Sequence, residues 1–364
     1  MRSQALAERA LGLIALPSPI GHEQQLADFV EQWARGRFPA GQVFRHSHSL
    51  VVGNRADPRP HVALIGHLDT VPAHAGEPAP RIEGGRLHGL GSSDMKGALA
   101  VMMSLAEQLP LERLPVNLLL VFYEREEGPY LENGLGPLME RVPVLSKLAF
   151  GIAMEPTDNK VHVGCMGTLH ATVTFAGKSA HSARPWQGKN AIHDAGALLT
   201  ELGLRGRHEV RADGFSFYEV MTATLATGGR ARNVVPDAFE INLNYRFAPG
   251  KSLEQAQEDV RALVGEGARV EFTDLSPAAM PSASHPLVKR LVQAGVRGVE
   301  PKQAWTDVAR FSALGIAAVN FGPGENKQAH QKNESTDLSL LFQGYKILSS
   351  WLCAVEGGDA AAVR

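Results

Sequence analysis

The sequence predicts an α/β protein with a smaller α+β unit inserted into it. Two observations carry this. Over residues 1–163, and again after 282, short uninterrupted apolar runs alternate with helical patterns, as in a mostly parallel sheet buried on both faces. Between 164 and 281 the strands alternate apolar and polar residues instead, in the order β-α-β-β-α-β of the ferredoxin-like arrangement. A chain of 364 residues has room for about two domains at roughly 150 residues each, with sizeable cores.

The elements follow in order. An amphipathic pattern predicts a helix over 3–15, ending before Pro17-Ser18-Pro19. The run 61–66 predicts a buried strand, 97–109 a helix, and 116–123 and 148–154 two further buried strands. In the insertion, 169–175, 219–226, 239–247 and 268–273 alternate, and 189–204 and 252–264 read as helices. The clearest alternation sets Phe239, Ile241, Leu243, Tyr245 and Phe247 on one face and Glu240, Asn242, Asn244 and Arg246 on the other. After the insertion, 316–321 is another apolar strand, followed by Gly322-Pro323-Gly324, and 337–353 is a helix.

Composition excludes several classes of function. Lys and Arg number 36 against 38 Asp and Glu, so the surplus of positive charge that phosphate binding needs is missing and no nucleic-acid partner is expected. Nowhere do 18 uncharged apolar residues run together, and Glu8 and Arg9 interrupt any leader-like stretch, so neither a membrane span nor a secretion signal is expected. Two cysteines, Cys165 and Cys353, cannot form a disulfide framework. They fit a reducing cytoplasm. His46 and His48 lie in a polar alternating stretch and read as exposed.

Chemistry-bearing residues gather where the apolar runs end. After 61–66 comes His67-Leu68-Asp69; after 116–123, Glu124-Arg125-Glu126-Glu127-Gly128; after 148–154, Glu155-Pro156-Thr157; after 316–321, a loop with His330. Asp94 stands just before the helix 97–109. In open α/β sheets a site forms beyond the carboxyl ends of the strands, where all five segments converge. Two imidazoles and three carboxylates (His67, Asp94, Glu127, Glu155, His330) suit a pair of divalent ions, zinc first. One carboxylate must bridge ions about 3.5 Å apart. Three carboxylates and one bridging hydroxide neutralise two dications. Asp69, two residues from His67 on the same side of an extended segment, can orient its imidazole. Glu126 is then left over beside a ligand, as a general base for water requires.

These residues resemble a known family, that of the co-catalytic zinc exopeptidases and deacylases. The resemblance rests on Gly66-His67-Leu68-Asp69-Thr70-Val71-Pro72, Gly91-Ser92-Ser93-Asp94-Met95-Lys96-Gly97, Glu126-Glu127-Gly128, Glu155-Pro156-Thr157, Gly177 to Pro185 around His181, Asn190-Ala191-Ile192, Arg232-Asn233-Val234-Val235-Pro236 and the His330 loop. They span nearly the whole chain in the family order. The resemblance implies a discontinuous catalytic domain, 1–163 and 282–364, of zinc-exopeptidase-like fold with a mixed, mostly parallel sheet. It also implies a ferredoxin-like lid or dimerisation domain at 164–281, and a homodimer formed through it.

The family's site residues carry over by motif. His67 and Glu155 would hold one of two zinc ions, with cobalt or manganese able to substitute, and Glu127 and His330 the other. Asp94 would bridge, Glu126 would act as base and Asp69 would orient His67. His181, which in dimeric relatives reaches the partner's active site, would stabilise the oxyanion. Asn233 and Arg246 would bind the substrate's amide and carboxylate, and Arg184 or Arg125 would replace the positive charge that some relatives carry at the places of Cys165 and Met166. The implied reaction is hydrolysis of a small N-acyl amino acid, N-succinyl-LL-2,6-diaminopimelate first, with acetylornithine or a dipeptide or C-terminal peptide as alternatives. Two departures stand out: Arg125 replaces a common aspartate, and Cys165 and Met166 occupy places where some relatives carry arginines.

Overall fold

The computed structural model describes residues 3–354, which form two compact units. One comprises the chain up to Gly164, Ser282–Pro301 and the chain from Thr306 on; the other comprises Cys165–Pro281 and Lys302–Trp305. Residues 1–2 and 355–364 of the expected catalytic domain lie outside the described residues.

The first unit is built on an eight-stranded mixed sheet. Its centre is four parallel neighbours in the order Asn117–Tyr123, His61–His67, Phe150–Ala153, Ala318–Asn320. Each is fully or almost fully buried, which explains why these runs are apolar throughout rather than alternating. A hairpin, Val43–His46 and Ser49–Val52, adds antiparallel strands to one side, and Val161–Val163 and Val299–Pro301 extend the other. Helix Lys96–Gln108 is buried from Lys96 to Ala106, as expected of a helix apolar on every face. It packs between Ser3–Ile14 and Leu338–Ala354.

The second unit is an antiparallel five-stranded sheet, in the order His208–Ala212, Phe215–Gly228, Ala238–Phe247, Gly167–Ala176, Arg269–Ser276. The last four have the ferredoxin-like order. Inward residues such as Leu169, Ala171, Val173, Ile241, Leu243 and Tyr245 form one core with Leu198 and Leu202 of one helix and Ala256 and Val260 of another. The edge strand His208–Ala212 was not anticipated, because most of its side chains stay in water and leave no apolar pattern. The helix expected over 189–204 is two short ones, Ala191–Asp194 and Gly196–Leu204.

The sequence reading also passed over helix Gln24–Arg37 and hairpin 43–52, which pack on each other. The turn of that hairpin leaves His46 and His48 half-buried rather than exposed. Two glycines permit the tightest approaches around the parallel strand ends. A Cβ on Gly322 would meet the carbonyl oxygens of Met154 and Glu155, and one on Gly324 would meet the Ser93 carbonyl and Pro156. Backbone cannot yield there as a flexible side chain can. Gly324→Ala is therefore expected to cost about 1–3 kcal/mol of stability, read as a lower denaturant midpoint at unchanged m; an unchanged midpoint would show that the loop yields freely.

Candidate active site

Asp69 is the buried pivot of the site. Its side chain is fully excluded from solvent. Its two carboxylate oxygens accept the backbone N–H groups of Glu126 and Glu127, at 3.0 and 2.9 Å. One carboxyl group thus ties the end of strand His61–His67 to the segment leaving Asn117–Tyr123. His67 Nδ1 lies 3.0 Å from the Asp69 backbone oxygen and 3.6 Å from its carboxylate. The imidazole is therefore oriented chiefly by the main chain, with the carboxylate behind it.

The other face of the His67 ring meets the cluster. Its Nε2 lies 3.0 Å from Asp94 Oδ1. His330 Nε2 lies 2.9 Å from Glu127 Oε1 and 3.6 Å from Asp94 Oδ2. Asp94 thus stands between the two imidazoles. One ligand atom each from His67, Asp94 and Glu127 fall within 4.8 Å of one another. Glu155, which follows strand Phe150–Ala153, is buried too. It lies outside that trio but close enough for its charge to act on Glu126.

Electrostatics describe a site short of positive charge. Burial, then the charges of Glu155, Glu127 and Asp307, push the Glu126 carboxyl well above the usual range, against the pull of His67. Burial pulls the His67 imidazole down, but the bond to Asp94 and the charges of Asp69, Asp94 and Glu126 outweigh it and hold it well up. His330 is pushed up to about 9, first by its bond to Glu127. Carboxylates crowded with imidazoles in this way are a donor set for divalent cations of zinc type. The residues fit a metal, and ions there would relieve the repulsion.

Three residues of this site were given no role from the sequence. Asp307, fully buried, accepts hydrogen bonds from Tyr123 Oη at 2.7 Å and Asn133 Nδ2 at 2.9 Å, and pairs with Arg310 at 2.6 Å. Glu334 accepts the N–H groups of Gly91, Ser93 and Asp94 at 2.9, 2.6 and 3.0 Å and so grips the loop that presents Asp94. Lys96, buried beside them, donates from Nζ to the Leu16 carbonyl at 2.7 Å and is lowered to about 8 by burial. Apart from the pair of Asp307 with Arg310, their partners lie far along the chain, so no local pattern marks these roles. Only the Lys-Asn-Glu run after His330 could have pointed to Glu334.

The remaining expected residues stand in the second unit. The His181 and Asn233 segments pair: His181 bridges Val234, and Ser182 N donates to Asn233 O at 2.9 Å. His181 Nδ1 accepts from Ala183 N at 3.1 Å, so in the neutral ring the proton is on Nε2. Arg246 is half-buried on strand Ala238–Phe247, with Nε donating to Asn244 Oδ1 at 3.2 Å. Arg184 is exposed. Cys165 and Met166 are fully buried.

Glu334 offers a pH test. Burial raises its carboxyl to about 7, above the effect of the three backbone bonds. The folded chain therefore holds a proton on it that the unfolded chain has lost, between about 4.3 and about 7. The stability of the parent relative to Glu334→Gln is expected to fall as pH rises through that window, by roughly 1–3 kcal/mol, and to level above it. Urea unfolding of both chains at pH 5, 6 and 8, in fixed chelator, measures this; a difference that grows with pH contradicts it.

Comparison with known proteins agrees with this geometry. The chain is 38% identical over 346 residues to a Mycobacterium tuberculosis protein provisionally named as a succinyl-diaminopimelate desuccinylase, covering 95% of this chain and 97% of that one. It is 34% identical over 347 residues to the succinyl-diaminopimelate desuccinylase of Corynebacterium glutamicum, covering 93% and 94%. In fold it is similar to a tripeptidase from Staphylococcus aureus, with a TM-score of 0.76 at 18% identity over 99% of both chains. Residues 63–354 match Peptidase family M20/M25/M40. The chain belongs to that family and is a metal-dependent amide hydrolase.

Proposed function

We propose that the chain is a dinuclear zinc hydrolase that removes the succinyl group from N-succinyl-LL-2,6-diaminopimelate, a step of diaminopimelate and lysine biosynthesis. The observation that carries the reading is the cluster of His67, Asp94, Glu127 and His330, buried at His67 and Asp94 and open to solvent at His330, with Glu126 beside it. The names of the relatives, at 34–38% identity over almost the whole chain, support succinyl as the acyl group. In this reading His67 and Glu155 would hold one ion, Glu127 and His330 the other, and Asp94 would serve both. Bound zinc would polarise the acyl carbonyl and lower the pKa of water.

The chain's own residues do the rest. Glu126, half-buried beside Glu127, takes a proton from the attacking water on its carboxylate and returns it to the leaving amine. Asp69 holds the backbone of Glu126 and Glu127, so base and ligand keep their places as the proton moves. His181 donates from Nε2 to the oxyanion; the bond at its Nδ1 supports that tautomer. Arg246 binds a substrate carboxylate, Asn233 the amide, and Arg184 adds positive charge near the acyl carboxylate.

The reading includes a lid and dimerisation role for the unit at 164–281 and a homodimer formed through it. In support, strand Phe215–Gly228 pairs with His208–Ala212 only as far as Glu219. Beyond that, among the described residues, it has a strand on one side alone and exposes Leu225 at 71%, an edge suited to pairing with a second copy. The reading also places the enzyme in the cytoplasm, where the free thiols of Cys165 and Cys353 stay reduced. Among the described residues no helix is long and apolar enough to cross a membrane.

Glu126→Gln tests the assignment of the base. Turnover is expected to fall by about 10²–10⁴ while metal content, read by elemental analysis, stays at the parent level. Full activity in the variant would remove Glu126 from the mechanism.

A further inference from the structure

A second group of metal-ligating side chains lies within the first unit, outside the cluster of His67. It joins Glu23, at the N-terminus of helix Gln24–Arg37, His48 in the turn of hairpin 43–52, and Glu124, which follows strand Asn117–Tyr123. One ligand atom from each lies within 4.8 Å of the other two. Glu23 is fully buried and Glu124 is 8% exposed.

The hydrogen bonds around the group leave it incomplete. Glu124 is held from the hairpin: its Oε2 accepts Ser47 Oγ at 3.2 Å, and its Oε1 accepts His48 N at 3.2 Å and Ser49 Oγ at 3.4 Å. Glu23 Oε1 accepts Gly21 N at 2.8 Å. Glu23 Oε2 and His48 Nδ1, both shielded from solvent, have no hydrogen-bond partner among the described residues. No lysine or arginine pairs with Glu23 or Glu124 among them either. Two carboxylates taken out of water side by side, with an imidazole nitrogen left free next to them, are costly unless something positive joins them. Asp69 and Glu124 both add charge of the same sign at Glu23.

We propose that Glu23, His48 and Glu124 form a structural site for a divalent cation, zinc by preference, separate from the cluster of His67, Asp94 and Glu127. Two carboxylates neutralise a dication, and an imidazole with carboxylate oxygens is a zinc donor set, water completing the shell. Ligand atoms about 2.0–2.2 Å from a common ion lie within roughly 4 Å of one another, so the observed spacing needs small side-chain rotations. The ion would tie three segments distant in sequence: a helix start, a hairpin turn and the strand end that runs on into Glu126 and Glu127. That gives the buried Glu23 a purpose that helix capping does not, since its side chain makes no cap bond.

The inference stands apart from the proposed reaction and is tested apart from it. The chain is stripped with chelator and dialysed against zinc as His67→Ala/His330→Ala, which disables the other cluster, with and without Glu23→Gln or His48→Gln. Circular dichroism checks that each variant is folded. Elemental analysis is expected to show one fewer zinc per chain with either added substitution, and the rise in Tm on adding zinc is expected to vanish with it. Equal zinc content with and without both substitutions overturns the site. So does a Tm that zinc leaves unmoved in the double variant, the behaviour of two carboxyls that share a proton.

Discussion

The structure of the first unit is governed by negative charge held out of water. Asp69, Asp94, Glu155 and Asp307 are all buried, and Glu126 feels Glu155, Glu127 and Asp307 together. Such a concentration persists only where each carboxylate has donors or cations. Much of the fold reads as an answer to that need. Asp69 takes two backbone amides, Glu334 takes three, and Asp307 takes a phenol, an amide and a guanidinium. Asp94 and Glu127 have imidazoles. What protein groups leave unanswered is a demand for metal.

The parallel sheet makes this arrangement possible. Its four central strands end on one side, and the polar residues that follow each run converge there without a long connection. Close backbone approach does the rest. Gly322 and Gly324 bring the loop after Ala318–Asn320 against the carbonyls at Glu155 and next to Asp94, so the segments that carry these two carboxylates and that loop share one floor. Rigidity of this kind suits a site whose groups must hold their spacing while a proton moves.

The parallel core and the alternating insertion were legible because period is a strong signal: runs such as 116–123 have no polar break, and 239–247 alternates without fault. His67, Asp94, Glu126, Glu127 and Glu155 were legible because each directly follows an apolar run or precedes a helix. Asp307 was not, since its burial depends on Tyr123, Asn133 and Arg310, of which only Arg310 is near in sequence. The edge strand His208–Ala212 was hidden by its exposure. His48 was misread because a polar stretch became a hairpin turn folded over two buried carboxylates. Periodicity reports which face is apolar; it carries no information about polar residues buried through distant partners.

The central claim, a metal-dependent deacylase with a preference for a succinylated diamino acid, is tested most directly by kcat/KM on N-succinyl-LL-2,6-diaminopimelate and N-acetylornithine, each with chelator and after zinc is restored. The expected result is a preference for the succinyl substrate on the order of tenfold or more, about 1.4 kcal/mol of differential transition-state binding, with turnover lost to the chelator and recovered with zinc. Equal weak turnover of both substrates would contradict the substrate, and turnover indifferent to chelation would contradict the chemistry.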